Sequence, residues 1–241
     1  MRIMGVGMRT EPLTEGALYQ LMSWLSPSFP VGAYTYSHGI EFAVEDGLIT
    51  DRDSLAGWVE AIITHGAGRI DAVLFRAAWQ SVNDNDRDLL AWAAEMADVY
   101  RATPEMALES SGQGQAFCDT LLDVWPDPQF AAWAGKFSDF DRPVSYAVVV
   151  GVAASIAGIP LKHALIGYLH ALAANLVSAG VRLVPLGQTD GQKALAALET
   201  PVHHAADNAL HRSVDDLGST TPMVDWTSMK HETQYTRLFR S

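Results

Sequence analysis

From Pro143 to Val181 the chain carries one formally charged side chain, Lys162, whereas 18% of the whole sequence is charged. Two apolar segments, Pro143–Ile159 and Pro160–Val181, meet at Gly158-Ile159-Pro160. Pro160 suits the first turn of a second helix, where its missing N–H costs nothing. The stretch therefore predicts a helical hairpin, apolar nearly all round, that something other than water must surround. Lipid is one candidate, because the eighteen uncharged residues from Val144 to Leu161 reach the usual spanning length. Against lipid stand Ser145, Ser155, Gly151, Gly158 and many alanines. His163, His170 and Asn175 would also be costly at a bilayer centre. The expectation is the central hairpin of a soluble domain with no membrane partner, and His163 and His170 are read as satisfied core residues.

A chain of 241 residues with 49% apolar content can bury a large core. A formal charge of −12 argues against nucleic acid, because binding phosphates would add to self-repulsion. A single cysteine, Cys118, allows neither an internal disulfide nor a thiolate metal cluster. Residues 1–16 lack an apolar signal core, so the cytoplasm is the expected compartment.

Helical spacing recurs along the chain. Thr14 is placed to cap a helix through Leu18, Leu21, Met22 and Leu25, which the prolines of Ser26-Pro27-Ser28-Phe29-Pro30 stop. Asp51–Asp53 start the next, through Leu55, Val59, Ile62 and Ile63; Gly66 and Gly68 interrupt it before Ile70, Val73, Leu74 and Ala77. Further starts are read at Asp86 and at Thr103-Pro104-Glu105, with a stop at Trp125-Pro126-Asp127-Pro128. Phe130 and Trp133 mark a short helix before the hairpin. Beyond it, Arg182–Lys193 reads as a loop in which Thr189 or Asp190 caps a helix through Leu195, Leu198 and Val202, bent at Pro201. Val31–Glu41, with two glycines beside two tyrosines, a serine and a histidine, reads as a packed helix start. No segment alternates as a strand does. The predicted fold is all-α: a single helical-bundle domain over residues 1–241, with the central hairpin and a flexible C-terminal tail at 219–241.

That tail differs in kind. From Trp226 onward it carries +2, leaving −14 on the rest, and it presents Trp226, Met229, Tyr235, Leu238 and Phe239. Such a segment suits partner docking, and charge alone leaves folding back on its own acidic body equally open.

Chemistry for turnover is missing. There is no phosphate-cradling glycine loop, no dinucleotide fingerprint beyond the weak Gly112-Gln113-Gly114 pair, and no metal-ligand ladder. His203 and His204 are adjacent and so point about 100° apart on a helix. A hydrolase from Ser37, His38 and Glu41 fails because neighbours on one helix do not face each other. The expectation is no enzyme activity, no cofactor and no resident metal. A free-standing helical scaffold, or an enzyme of unknown substrate, is the other reading the residues allow.

Three stretches resemble the urease accessory protein UreF family. Residues 26–41, S-P-S-F-P-V-G-A-Y-T-Y-S-H-G-I-E, are similar to that family's opening S-P-x-x-P-x-G-x-F/Y-S/T-x-S-x-G-L/I-E. Residues 182–192, R-L-V-P-L-G-Q-T-D-G-Q, and 228–241, S-M-K-H-E-T-Q-Y-T-R-L-F-R-S, are similar to its later signatures. Thr35 and Thr236 stand where serine is expected and keep a hydroxyl; Lys193 stands where arginine is common and gives up bidentate recognition. The resemblance implies an all-α, usually dimeric accessory protein. It would join UreD (also called UreH) and the nickel-binding GTPase UreG, deliver nickel to apo-urease and modulate the GTPase cycle. It also implies partner-binding positions. In the opening these are Pro30, Gly32, Tyr34, Tyr36, Ser37, His38 and Glu41, and in the second stretch Arg182, Gln188, Asp190 and Lys193. In the tail they are Met229, His231, Glu232, Tyr235, Arg237, Leu238, Phe239 and Arg240. An arginine finger from Arg237 or Arg240 extends the same implication.

Overall fold

The computed structural model describes residues 12–241, so the leader expectation for residues 1–16 falls mostly outside the described residues. Within them the chain forms twelve α-helices and no strand. The first four are α1 (Glu15–Trp24), α2 (Ile40–Glu45), α3 (Arg52–His65) and α4 (Ala67–Asn83). Next come α5 (Arg87–Val99), α6 (Pro104–Val124), α7 (Pro128–Asp139) and α8 (Tyr146–Ile156). The last four are α9 (Leu161–Leu183), α10 (Gln188–Ala197), α11 (Glu199–His211) and α12 (Pro222–His231). The all-α expectation holds.

Helix starts follow the capping chemistry of the sequence. Thr14 accepts the Ala17 N–H at 3.2 Å, Asp86 that of Leu89 at 2.9 Å, and Thr103 that of Met106 at 3.2 Å. Asp51 and Ser54 form a reciprocal capping box. Gly66 separates α3 from α4.

The apolar stretch sits at the centre, although its two helices serve different neighbours. In α8 every residue from Ala147 to Ala154 is buried, chiefly against α4 and α6. Burying each of Val148, Val149, Val150 and Val152 is worth at least about 1.5 kcal/mol. That exceeds the few tenths that a β-branched residue costs a helix, so packing decides the conformation. A Cβ on Gly151 would lie 2.6 Å from the Phe75 carbonyl oxygen, so α4 and α8 approach backbone to backbone there. Gly158 turns the chain at φ 68°, and the Trp79 indole N–H donates to the Ile159 carbonyl at 3.0 Å.

α9 is long and apolar enough to cross a membrane, yet half of its most apolar stretch is buried inside the protein. Its buried positions, among them Leu161, Leu165, Tyr168, Leu169, Leu176 and Val177, face α2, α3, α4, α10 and α11. His163 and His170 lie on its open side and are exposed, which corrects the core reading. Three local expectations also shift. In α1 the buried face is Ala17, Leu21 and Trp24, while Leu18 and Met22 are exposed. α10 starts at Gln188, before Thr189 and Asp190, so neither is its cap. The helix break falls at Leu198, ahead of Pro201, which rides in the first turn of α11 where its lost N–H has no carbonyl to miss.

Val31–Glu41 is less regular than a helix start. Ala33–Thr35 is a 3-10 turn, Gly32 and Gly39 have φ of 72° and 79°, and α2 begins only at Ile40. For the tail, the structure has the second of the two readings that the sequence leaves open. After Thr220 donates to the His65 carbonyl at 2.9 Å, α12 packs on α2, and residues 232–241 return along α2 and α6.

Candidate partner-docking site

Pro222 begins α12, whose inner face packs on α2. A Cβ on Gly39 would lie 2.8 Å from the Ser228 nitrogen, so the left-handed turn and the close crossing both demand glycine there. Phe42 meets Trp226 edge-on at 5.4 Å, and the Ser228 and Thr103 hydroxyls share a hydrogen bond of 2.7 Å.

The tail is then held by three glutamates of the body. Glu41, in the first turn of α2 and 7% exposed, accepts the Leu238 N–H at 2.6 Å and the Phe239 N–H at 2.9 Å. It also faces His231 Nε2 at 3.0 Å. Glu105 on α6 takes the other ring nitrogen, Nδ1, at 2.7 Å and the Arg237 guanidinium at 3.0 Å. Glu109, one turn further, faces His38 Nδ1 at 3.2 Å and accepts the Ser241 hydroxyl at 3.1 Å. Ser37 closes the far end: its N–H donates to the Ser241 carbonyl at 2.8 Å and its hydroxyl donates to the same oxygen. The Arg240 N–H donates to the Thr35 carbonyl at 2.8 Å. Phe239 is buried, and the Arg182 guanidinium lies 4.4 Å from its ring centre while donating to the Tyr34 carbonyl at 2.9 Å. His38 adopts φ 57°, unusual for a residue with a side chain, and these contacts hold it there.

The sequence-chosen residues divide into two sets. Ser37, His38, Glu41, His231 and Phe239 are buried and build the clasp; Tyr36 is buried beside it, and burial raises its phenol above the ordinary value. Tyr34, Met229, Glu232, Tyr235, Leu238, Arg240 and Arg182 face outward, with Pro30, and Gly32 is half-buried. Tyr235 is fully exposed, Leu238 is 66% exposed and Tyr34 is 66% exposed. Gln188, Asp190 and Lys193 lie in the first turns of α10, where Lys193 pairs with Asp190 at 3.3 Å. Among the described residues no hydrogen bond or ion pair joins those three to the tail. Arg237 is spent on Glu105, whereas Arg240 projects over Tyr36 with its guanidinium 6.0 Å from the ring centre.

Sequence reasoning missed the α6 side. Glu105, Glu109 and Gln113 repeat every four residues with no cation placed to pair within the helix, which is the one trace of a covered acidic face. It also missed the pair behind the clasp. There Arg101 meets Asp71 at 2.8 Å, and the Tyr168 hydroxyl donates to Asp71 at 2.9 Å. Burial, with Asp71 beside it, pushes that phenol well above its ordinary range, so it remains a donor. Chemically the arrangement binds and positions. Ser37 is engaged by Ser241 and His38 by Glu109, so the two do not form a nucleophile and base. No group of three or more His, Cys, Asp or Glu side chains among the described residues is arranged to hold a metal.

A family model described as UreF matches residues 49–199. A urease accessory protein UreF from Granulibacter bethesdensis is 51% identical over 232 residues, covering 96% of this chain and 97% of its own length. This chain belongs to the UreF family. Urease accessory proteins UreF from Rhodopseudomonas palustris (strain BisB5) and Bradyrhizobium sp. (strain ORS 278) are 46% and 45% identical over 231 and 225 residues. Each alignment covers more than nine-tenths of both chains. In UreF terms, the opening motif, the first arginine of the second stretch and the closing tail are one spatial feature. Glu41 and Leu238 touch across 197 positions of sequence.

Proposed function

We propose that this UreF-family chain is a non-enzymatic, chaperone-like accessory protein of urease maturation. It works in the cytoplasm as a homodimer. It joins UreD/UreH and the nickel-binding GTPase UreG in a complex that inserts nickel into apo-urease. Nickel here is cargo of the complex. The observation that supports this reading is the composite face built by the tail on the 26–41 motif. Its outer side exposes Tyr34, Met229, Tyr235 and Leu238 and carries Arg182 over Phe239 and Arg240 over Tyr36, and large exposed apolar groups together with arginines are what protein interfaces use as anchors. UreD is assigned to that face. The exposed first turns of α10, with Gln188 and Lys193, are assigned to the GTPase. Coupling follows from differential binding: the chain holds the GTPase beside UreD in one nucleotide state and releases it in the other, shifting the cycle by the difference in affinity.

The test is co-purification of UreD with the full chain and with a Tyr235→Ala, Leu238→Asp, Arg240→Ala variant. All three side chains face outward, so the variant folds with its tail closed, and capture of UreD falls at least tenfold, the scale of losing interface anchors. Undiminished capture would remove this face as the UreD site. A Gln188→Ala, Lys193→Ala variant that still recruits the GTPase normally would remove α10.

A further inference from the structure

His231 closes α12, is fully buried, and has both ring nitrogens aimed at carboxylates: Nδ1 at Glu105 on α6, 2.7 Å, and Nε2 at Glu41 on α2, 3.0 Å. A carboxylate oxygen accepts and does not donate, and a neutral imidazole donates from one nitrogen only. Either the ring carries both protons or one glutamate is a carboxylic acid. The remaining contacts decide between these. Both oxygens of Glu41 are already donated to by the Leu238 and Phe239 N–H groups, and the free oxygen of Glu105 is donated to by Arg237. These donors favour both carboxyls in their ionised form, and two carboxylates favour the charged ring between them, so the extra proton that the two contacts require belongs on the ring.

We infer that His231 is a proton-operated latch: as an imidazolium it ties α12 and residues 237–239 to α2 and α6, and loss of its second proton frees the tail. Without that proton, one carboxylate faces a nitrogen lone pair at hydrogen-bond distance, inside the protein and out of reach of water. The closed tail thus binds one proton more than the open tail, so, while both glutamates stay ionised, closure weakens as pH rises.

The other charged groups around the clasp do not impose the same requirement. On the body, His38 turns one nitrogen to Glu109 and has no partner on the other, so its contacts call for one ring proton and not two. Glu45 is met by the Gln234 amide, and Tyr36 faces Arg240 and Glu109. On the tail, Asp225 lies near His38, Lys230 leans toward Trp226, and Glu232 is exposed. That the freed tail is what a partner meets rests on the docking reading above; the latch itself belongs to the chain alone.

Nuclear magnetic resonance of the full chain without partners, from pH 6 to 9, tests it through the ring ¹⁵N shifts of His231 and the exchange protection of the Leu238 and Phe239 amides. Protection is corrected for the intrinsic pH dependence of exchange. Both ring nitrogens carry protons while the tail is closed, and protection of the two amides falls about tenfold per pH unit on the alkaline side. His231→Gln abolishes that slope; His203→Gln, at an exposed histidine of α11 outside the clasp, keeps it. Amides whose protection is flat with pH, or absent throughout, would overturn the latch. So would a ring nitrogen bearing a lone pair at pH 6 in the closed tail, or an undiminished slope in His231→Gln. Should His231→Gln not fold, judged by helix content and α4 amide protection, the wild-type ring signals and slope decide alone. UreD takes no part, so failure here leaves the docking proposal standing, and the reverse.

Discussion

Glu41 receives two backbone N–H groups and one imidazole, from residues 190 to 198 positions away. Glu41→Ala strips all three of their acceptor and leaves a buried positive ring with one partner. It should cost about 3 kcal/mol, the scale of breaking a buried charged pair from one side. Urea unfolding reads that cost, and the Leu238 amide should lose protection with it. The lone thiol behaves in the opposite way. Burial pushes Cys118 up to about 11, so at pH 8 roughly one molecule in a thousand carries the thiolate. Native protein should resist iodoacetamide for hours and react within minutes once unfolded; rapid native alkylation would contradict its burial. At this scale the sequence was half legible. Ser37, His38 and Glu41 were marked by the resemblance of residues 26–41, whereas the residues by themselves read as a packed helix start. Glu105 and Glu109 were not marked, because a glutamate every fourth residue is what any solvated helix shows until something covers it.

Among the elements, the helix boundaries that capping chemistry controls were readable, and those that packing controls were not. Thr14, Asp51, Asp86 and Thr103 cap where expected. α10 starts early because Gln188 already takes helical geometry behind Gly187, with no side-chain oxygen needed. The outward turn of His163 and His170 was hidden for another reason. α9 is apolar around most of its circumference, so its sequence marks no face, and only the positions of α10 and α11 say which side stays open. α4 and α8 cross backbone to backbone. Gly151→Ala forces a Cβ against the Phe75 carbonyl between two backbones that cannot both withdraw, and should destabilise by about 1 to 3 kcal/mol. A melting temperature unchanged within a degree would show that α8 has room to shift.

For the molecule as a whole, the all-α class and the central placement of Pro143–Val181 were legible because a long apolar stretch can be satisfied only by burial. The fate of the tail was not, because a +2 segment on a −14 body is drawn equally to its own surface and to another acidic one. Geometry that charge counting cannot supply resolves it: a glycine where α12 crosses α2, and three glutamates spaced to receive the return. The central claim is that this composite face lets the chain serve urease by binding and not by chemistry of its own. Urease nickel content and activity test it most directly, in cells that lack this chain and are supplied with either the wild type or the Tyr235→Ala, Leu238→Asp, Arg240→Ala variant. The account predicts nickel-poor, inactive urease without the chain, recovery with the wild type, and at least a tenfold shortfall with the folded variant. Fully metallated urease in the chain's absence, or full recovery with the variant, would contradict it.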